Sequence, residues 1–225
     1  MEASRLPPRE ADVAPAAEDP TAGRTAGGWT PADPGALGLA SFATTTFILS
    51  MINANLVGGG IATIHGIVGG MALAVGGIAQ FAAGLWEFRT GNTFGATAFC
   101  SFGAFWLSFY WLLHFGVAEI PKTEIFSAVG LYLWAWGIFT AYMFVASLRT
   151  TGAVALVLLL LTITFIVLGI GNSALAGTAS LTNGTIKLGG YIGLATAIVA
   201  WYASFAVVAN ATFGRTVMPV MPMTR

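Results

Sequence analysis

Between Ala36 and Asn210 the chain carries only seven charged side chains, Glu87, Arg89, Glu119, Lys122, Glu124, Arg149 and Lys187, and each lies near a gap between apolar runs. Six such runs follow one another, roughly Ala36–Val57, Ile64–Phe88, Thr93–Phe115, Ile125–Leu148, Ala153–Gly171 and Ile186–Asn210. Each is close to the ~20 residues that a helix needs to cross a bilayer. The gaps are chemically distinct: Gly58-Gly59-Gly60, Arg89-Thr90-Gly91-Asn92, Gly116 to Thr123 around Pro121, Arg149 to Gly152, and the polar Asn172–Thr185 segment. Strands of a membrane barrel would alternate over about ten residues, whereas these runs are continuous and about twice that length. The sequence therefore predicts an all-α membrane protein, a bundle of six transmembrane helices.

Composition agrees. Only 8% of residues are charged, against roughly 25% in soluble domains. The expected organisation is a disordered cytoplasmic tail over 1–35, a six-helix transmembrane domain over 36–210 and a cytoplasmic C-terminal tail over 211–225. The first segment is rich in Ala, Pro, Gly, Glu, Asp and Arg, with Trp29 its single aromatic; it cannot bury enough apolar surface to offset its ordering entropy. It lacks the apolar stretch of a signal peptide, and its acids argue against a transit peptide. Cys100, the lone cysteine, excludes an internal disulfide or a Cys-based metal site. A formal net charge of zero gives no reason to expect nucleic acid. No catalytic constellation, metal site or cofactor is expected, so the chain does not read as an enzyme.

Lys and Arg counts set the expected orientation. With both termini inside, Arg5, Arg9, Arg24, Arg89, Arg149, Arg215 and Arg225 face the cytoplasm, while Lys122 and Lys187 face outward. The protein is thus expected in the cytoplasmic membrane as a multi-pass chain with cytoplasmic ends. Asp33 before Pro34, and Asn92 before the third run, read as helix starts. The first, third and fifth helices would all begin at the cytoplasmic face, so their positive dipole ends would surround one mouth and mildly attract anions.

No Asp, Glu, Lys or Arg lies near the middle of a predicted span. Charges at that depth mark proton relays and ion pathways in many pumps, so a permeant species would be small and met by hydroxyls, amides, aromatics and helix ends. Thr44, Thr45, Thr46, Ser50 and Asn53 crowd the first helix, Gln80 the second, Thr97, Ser101 and Ser108 the third, Thr162 and Thr164 the fifth, and Thr196 and Ser204 the sixth. Hydroxyls commonly bond back to their own helix; Asn53 and Gln80 cost more to leave unpaired in lipid. Glu87 and Arg89 read as snorkelling at the cytoplasmic end of the second helix, with Glu87 also placed to guard a mouth. His65 and His114 lie near outer helix ends, where they would hydrogen-bond at the interface, sense pH or ligate haem. Gly66-xxx-Gly70 and Gly189-xxx-Gly193 are small-xxx-small patterns for close helix approach, within the chain or between subunits. Asn183-Gly184-Thr185 matches a glycosylation acceptor, a pattern too short to carry weight.

Four segments resemble the acetate uptake transporter family, which includes the succinate–acetate permeases (the YaaH-like group). Asp33-Pro34-Gly35-Ala36-Leu37-Gly38-Leu39 is similar to its signature Asn-Pro-Ala-Pro-Leu-Gly-Leu. The run from Gly76-Gly77-Ile78-Ala79-Gln80 to Glu87 resembles its second-helix segment, and Gly91-Asn92-Thr93-Phe94-Gly95 follows at the family's spacing. Phe213-Gly214-Arg215-Thr216-Val217-Met218-Pro219 closes the match. The resemblance implies six helices per subunit in a homohexamer, one pathway per subunit, and transport of acetate and related small carboxylates such as succinate, coupled to protons. A passive acetate or anion channel is the alternative within that class; a haem-binding membrane redox subunit is the alternative outside it. By the same resemblance the pathway narrows at Phe42, Phe102 and Leu161, and Ala200 sets substrate range. Asn53, Gln80, Thr97 and Ser101 are the candidate polar pathway residues, and Asp33, Glu87 and Asn92 the candidate cytoplasmic mouth. Asp33 stands where the signature has Asn, keeping a capping oxygen but adding charge, and Ala36 replaces a Pro. The expected partners are a small carboxylate, protons, membrane lipid and other copies of the chain.

Overall fold

The computed structural model describes Trp29 and residues 31–57, 64–178 and 180–223. Most of the tail read as disordered (1–28 and 30), the Gly58-Gly59-Gly60 gap and the His65 side chain lie outside the described residues. Six helices are long and apolar enough to cross a membrane: α1 Gly35–Asn53, α2 Gly66–Thr90, α3 Thr93–Glu119, α4 Ile125–Ser147, α5 Gly152–Ser173 and α6 Gly184–Phe213. In lipid every backbone polar group must be satisfied within the span, and here helices do so. Among the described residues the only β pairing is an isolated bridge between Thr151 and Pro222.

Helix starts follow local chemistry. The Asn92 carboxamide oxygen accepts the Gly95 N–H at 3.0 Å at the head of α3. Thr151 Oγ1 accepts the Val154 N–H at 3.3 Å for α5, and Asn183 Oδ1 accepts the Ile186 N–H at 2.8 Å for α6. Each side chain satisfies an amide that the first turn leaves unpaired. At α1 the cap position falls on Pro34, and Asp33 works one residue earlier, its carboxyl accepting the Gly35 N–H at 2.8 Å. Gly91 and Gly214, with φ of 79° and 63°, stop α2 and α6 in the left-handed conformation that glycine adopts without penalty.

Successive helices alternate in direction and pack as a closed ring: α1 on α2, α2 on α3, a lighter α3–α4 contact, then α4 on α5, α5 on α6, and α6 back on α1. Small residues set the tight crossings. A Cβ at Gly84 would stand 2.5 Å from the Cys100 backbone nitrogen, and one at Gly103 would stand 2.8 Å from the Phe81 backbone nitrogen. The two glycines thus let α2 and α3 touch backbone to side chain on both sides of one crossing. Gly189 packs on Leu168 and Gly193 on Ser50, within the chain. Among the described residues Gly66 and Gly70 meet nothing, and both are exposed.

One sequence expectation needs correction at this level. The third span runs on to Glu119 rather than stopping near Phe115, through a π-helical stretch over Leu112–Gly116, and Pro121 rather than Gly116 marks its end. Two further π-helical stretches, Ile64–Val68 and Ala72–Ala79, lie at the start of α2 and directly before Gln80. Such wide turns change which residues share a face, and hydropathy does not register them.

Gly84→Val should push α2 off α3 and lower stability by about 1–3 kcal/mol, as overpacking does. Gly66→Ala, in open space, should leave the melting temperature in detergent unchanged; thermal unfolding of the two purified variants checks the pair.

Candidate functional site

A cavity of about 260 Å³ enters the ring from the end where α1, α3 and α5 begin. Asp33, Glu87, Asn92, Thr150 and Thr151 stand around its mouth, and Phe42, Gln80, Phe102, Val157, Leu158 and Leu161 line its deeper part. The residues expected at the mouth and at the neck therefore border one space.

The mouth is a hydrogen-bonded carboxyl cluster. Glu87 is only 3% exposed. Its Oε2 accepts from Asn92 Nδ2 at 2.9 Å and from the Thr90 hydroxyl at 3.1 Å. Gly95 makes room for it, since a Cβ there would stand 2.8 Å from the Glu87 carboxyl carbon. Glu87 thus turns into the protein rather than snorkelling outward. A Cβ at Gly35 would stand 2.9 Å from Asp33 Oδ1 and 3.5 Å from Glu87 Oε1, so the two carboxyls flank the same backbone atom. Asp33 and Glu87 are the charged residues of the lining, and both are acidic.

The dipole ends gathered at this mouth are partly capped, most fully at α5, which weakens the attraction for anions that the sequence led us to expect. Asp33 takes the Gly35 amide and Asn92 the Gly95 amide. At α5 the chain's own C-terminal segment does the same: Met221 C=O accepts the Gly152 N–H at 2.8 Å and Val220 C=O the Ala153 N–H at 3.3 Å. That segment is held in place by Asn210, whose Oδ1 accepts the Val217 and Met218 amides at 2.8 and 2.9 Å. The Tyr202 hydroxyl donates to the Pro219 carbonyl at 2.6 Å. Val220 itself lines the cavity.

The deeper end is aromatic and aliphatic. Phe42 and Phe102 lie with ring centroids 5.9 Å apart, and Phe102 meets Phe139 edge-on at 5.3 Å. Leu161 is 3% exposed and belongs to the same buried cluster. Behind it, Phe105 stacks on Tyr132, whose hydroxyl donates to the Phe105 carbonyl at 3.0 Å and shares a hydrogen bond with Ser108 at 2.8 Å. The neck is thus braced by α4 through rings rather than by close backbone contact.

Other sequence candidates sit elsewhere. Asn53 is the last residue of α1, beside Gly190 of α6. Thr97 is half-buried on α3 outside the lining, and Ser101 borders an outward groove with Ala104, Ala135, Trp136 and Phe139. Ala200 is fully buried in the core of the bundle. His114 bonds through Nδ1 to the Tyr110 carbonyl at 3.0 Å and packs on the Tyr110 ring, which suits the structural role over haem ligation. Asn183 is occupied at both ends of its amide, capping α6 and donating to the Gly171 carbonyl at 2.8 Å. Thr150, Thr151, Val207 and Val220 of the lining were not singled out by the sequence. The Thr150-Thr151-Gly152 string is the one signal that pointed to a capped helix start there.

These features define a polytopic helical membrane protein with a cavity entered from one end and closed by apolar side chains. The chain belongs to the GPR1/FUN34/yaaH family, whose model matches residues 24–225. It is 40% identical over 184 residues to Accumulation of dyads protein 2 of Saccharomyces cerevisiae, an alignment covering 80% of this chain and 62% of that longer protein. It is 39% identical over 192 residues to the succinate-acetate/proton symporter SatP of Escherichia coli K12, covering 84% of this chain and 95% of that one. A solved structure described as that of the bacterial acetate channel SatP superposes with a TM-score of 0.74 at 38% identity, covering 84% of this chain and 99% of that one. The protein is a multi-pass membrane protein.

Asn92→Ala removes the α3 cap and one bond to Glu87 together. It should destabilise the protein by about 1–2 kcal/mol, whereas Asn92→Ser should retain the cap and lose only the Glu87 bond, a ranking that thermal unfolding in detergent reads directly.

Proposed function

We propose that this protein carries acetate and related small carboxylic acids across the cytoplasmic membrane through the α1–α6 cavity, each acid crossing together with its proton. The observation that carries the reading is the charge pattern of the pathway: an acidic mouth, helix heads capped most fully at α5, and a neck of Phe42, Phe102 and Leu161 with no fixed positive charge. Protonating a carboxylate at neutral pH costs about 1.4 kcal/mol for each unit between pH and its pKa, so about 4 kcal/mol for a simple carboxylic acid. Taking the bare ion into an apolar neck costs several kcal/mol even after relaxation, and ~20 kcal/mol in the idealised limit. The neutral acid is the cheaper traveller. The printed names of the bacterial relatives, an acetate channel and a succinate-acetate/proton symporter, support the substrate class. The acidic mouth counts against a passive anion channel.

In this reading Asp33, Glu87 and Asn92 form the cytoplasmic mouth, Gln80 lies on the pathway, and Ala200, behind the neck, influences substrate range by packing. Both termini lie in the cytoplasm, supported by the excess of Arg at that face, with 1–35 and 211–225 as cytoplasmic tails. The working assembly is a homohexamer with one pathway per subunit, supported by the family resemblance and by the exposed Gly66 and Gly70 of α2.

Radiolabelled acetate uptake into proteoliposomes at clamped voltage, corrected for protein-free vesicles, tests the central claim. Uptake at fixed total acetate should fall about tenfold per pH unit above the acid's own pKa and carry no net charge; uptake that follows the anion and moves negative charge sinks it. Leu161→Ala, which widens the neck, should raise the succinate-to-acetate uptake ratio by roughly tenfold. For topology, a Thr216→Cys label in a Cys100→Ala background should react with an impermeant thiol reagent only after cells are opened, and native mass spectrometry should return six copies.

A further inference from the structure

Buried polar atoms in this bundle almost all have partners. Thr44, Thr45, Thr140, Thr162, Thr164 and Thr196 each donate to the carbonyl four residues back, the usual way a hydroxyl is satisfied in a membrane helix. Among the described residues the buried side-chain atoms left without a partner are Thr46 Oγ1, both amide atoms of Gln80, and Trp106 Nε1. Gln80 is 1% exposed and Trp106 2%. In hydrocarbon such orphans are costly, and they are not scattered.

They share one place. Thr46 is one turn beyond Phe42 on α1, and Trp106 one turn beyond Phe102 on α3. On α2, which runs the opposite way, Gly76 is the residue one turn beyond Gln80. A Cβ at Gly76 would stand 2.7 Å from Trp106 Cγ and Cδ1 and 2.8 Å from Thr45 Oγ1, so these groups are level with one another. Gln80 lines the cavity with Phe42 and Phe102. The unpaired amide thus stands at the aromatic neck, and the Thr46 hydroxyl and Trp106 N–H follow one turn deeper.

We propose that Gln80 is the specificity-determining residue that admits the protonated carboxylic acid and rejects its anion; this rests on the acid-transport reading above. A primary amide presents one acceptor and one donor on the same carbon, and a neutral carboxylic acid presents the matching donor and acceptor. The acid O–H donates to Gln80 Oε1 while the acid C=O accepts from Gln80 Nε2, closing a ring of two hydrogen bonds. Either flip of the amide offers the same pair. A carboxylate has acceptors only, so one of its oxygens would face Gln80 Oε1 lone pair to lone pair, and the amide would remain half unpaired. A site built to pair a group discriminates strongly against an analogue that cannot complete the pairing. The Trp106 N–H and Thr46 hydroxyl offer the next donors once the acid leaves the amide. Selection of the neutral form then needs no titratable residue in the neck.

The test uses the full chain in proteoliposomes with radiolabelled acetate, and acetamide and trifluoroacetate as competitors. Acetamide carries the same donor–acceptor pair as acetic acid with no charge, whereas trifluoroacetate is an anion throughout the accessible pH range. Acetamide should inhibit wild-type uptake and trifluoroacetate should not. Gln80→Met, close in shape but unable to pair, should lower uptake at least tenfold and lose inhibition by acetamide while eluting as the wild type does on gel filtration. Gln80→Glu should transport at acid pH, where its protonated carboxyl can pair as the amide does, and should fall more steeply with pH than wild type once that carboxyl ionises, because both the substrate and the site then lose the matching proton. That steeper pH profile keeps the test decisive if Gln80→Met fails to fold. The proposal is overturned if Gln80→Met carries acetate at the wild-type rate, if the Gln80→Glu profile is no steeper than that of wild type, or if trifluoroacetate inhibits wild type as well as acetamide does. Wild-type protein that carries no acetate above protein-free vesicles overturns the transport reading itself, an outcome distinct from transport that ignores Gln80.

Discussion

Every polar atom placed between α1 and α6 has to find its partner inside the protein, because hydrocarbon offers none. That requirement explains why the chain is helical throughout its apolar runs and why threonines fold back on their own carbonyls. It also explains why the breaks before α3, α5 and α6 each carry a capping residue at the following helix start. It makes the exceptions informative. A bundle that satisfies Tyr132, Trp201 and Ser204 across helices leaves, among the described residues, buried side-chain atoms of Gln80, Thr46 and Trp106 unpaired, all around the neck.

Close approach and wide spacing divide the ring between them. Glycines at Gly84 and Gly103 bring α2 against α3, and Gly189 and Gly193 seat α6 against α5 and α1. Between α3 and α4 the distance is instead filled by rings: Phe102, Phe105, Trp136 and Phe139 meet edge to face, and Tyr132 stacks on Phe105. The cavity lies where these two modes of packing meet, deep enough to hold a small molecule and narrow enough for two phenylalanines to close it. Buried aromatic pairs of this kind add about 0.5–1.5 kcal/mol each beyond their area, so the neck is braced from behind rather than left to fluctuate alone.

Much of this was legible in the sequence, for physical reasons that can be named. The six spans follow from run length, and the starts of α3 at Asn92 and α1 near Asp33 follow from capping chemistry. The grouping of Phe42, Phe102 and Leu161 came from resemblance, not from periodicity; each is one apolar residue among many, and nothing local marks it. Which polar residues face inward was not legible either. Gln80 and Ser101 read alike in sequence, yet the first lines the cavity and the second an outward groove. The π-helical stretch over Ala72–Ala79 shifts the facing of α2 just before Gln80, and no hydropathy pattern encodes that extra width.

The mouth shows most clearly how a segment outside the spans can set the chemistry within. Three helix heads converge on one end of the ring, a geometry that by itself makes an anion trap. Asp33 and Asn92 each take one amide at two of them from their own turns, and at α5 Thr151 likewise takes one. The remaining amides at Gly152 and Ala153 are taken by the carbonyls of Met221 and Val220, folded back from beyond α6. In the transport reading proposed above, open amides there would hold a carboxylate at the point where the substrate must be neutral to go further. With Gly152 and Ala153 capped and Glu87 turned inward, the entrance offers an anion less to stay for, in keeping with the proposal that each acid crosses together with its proton.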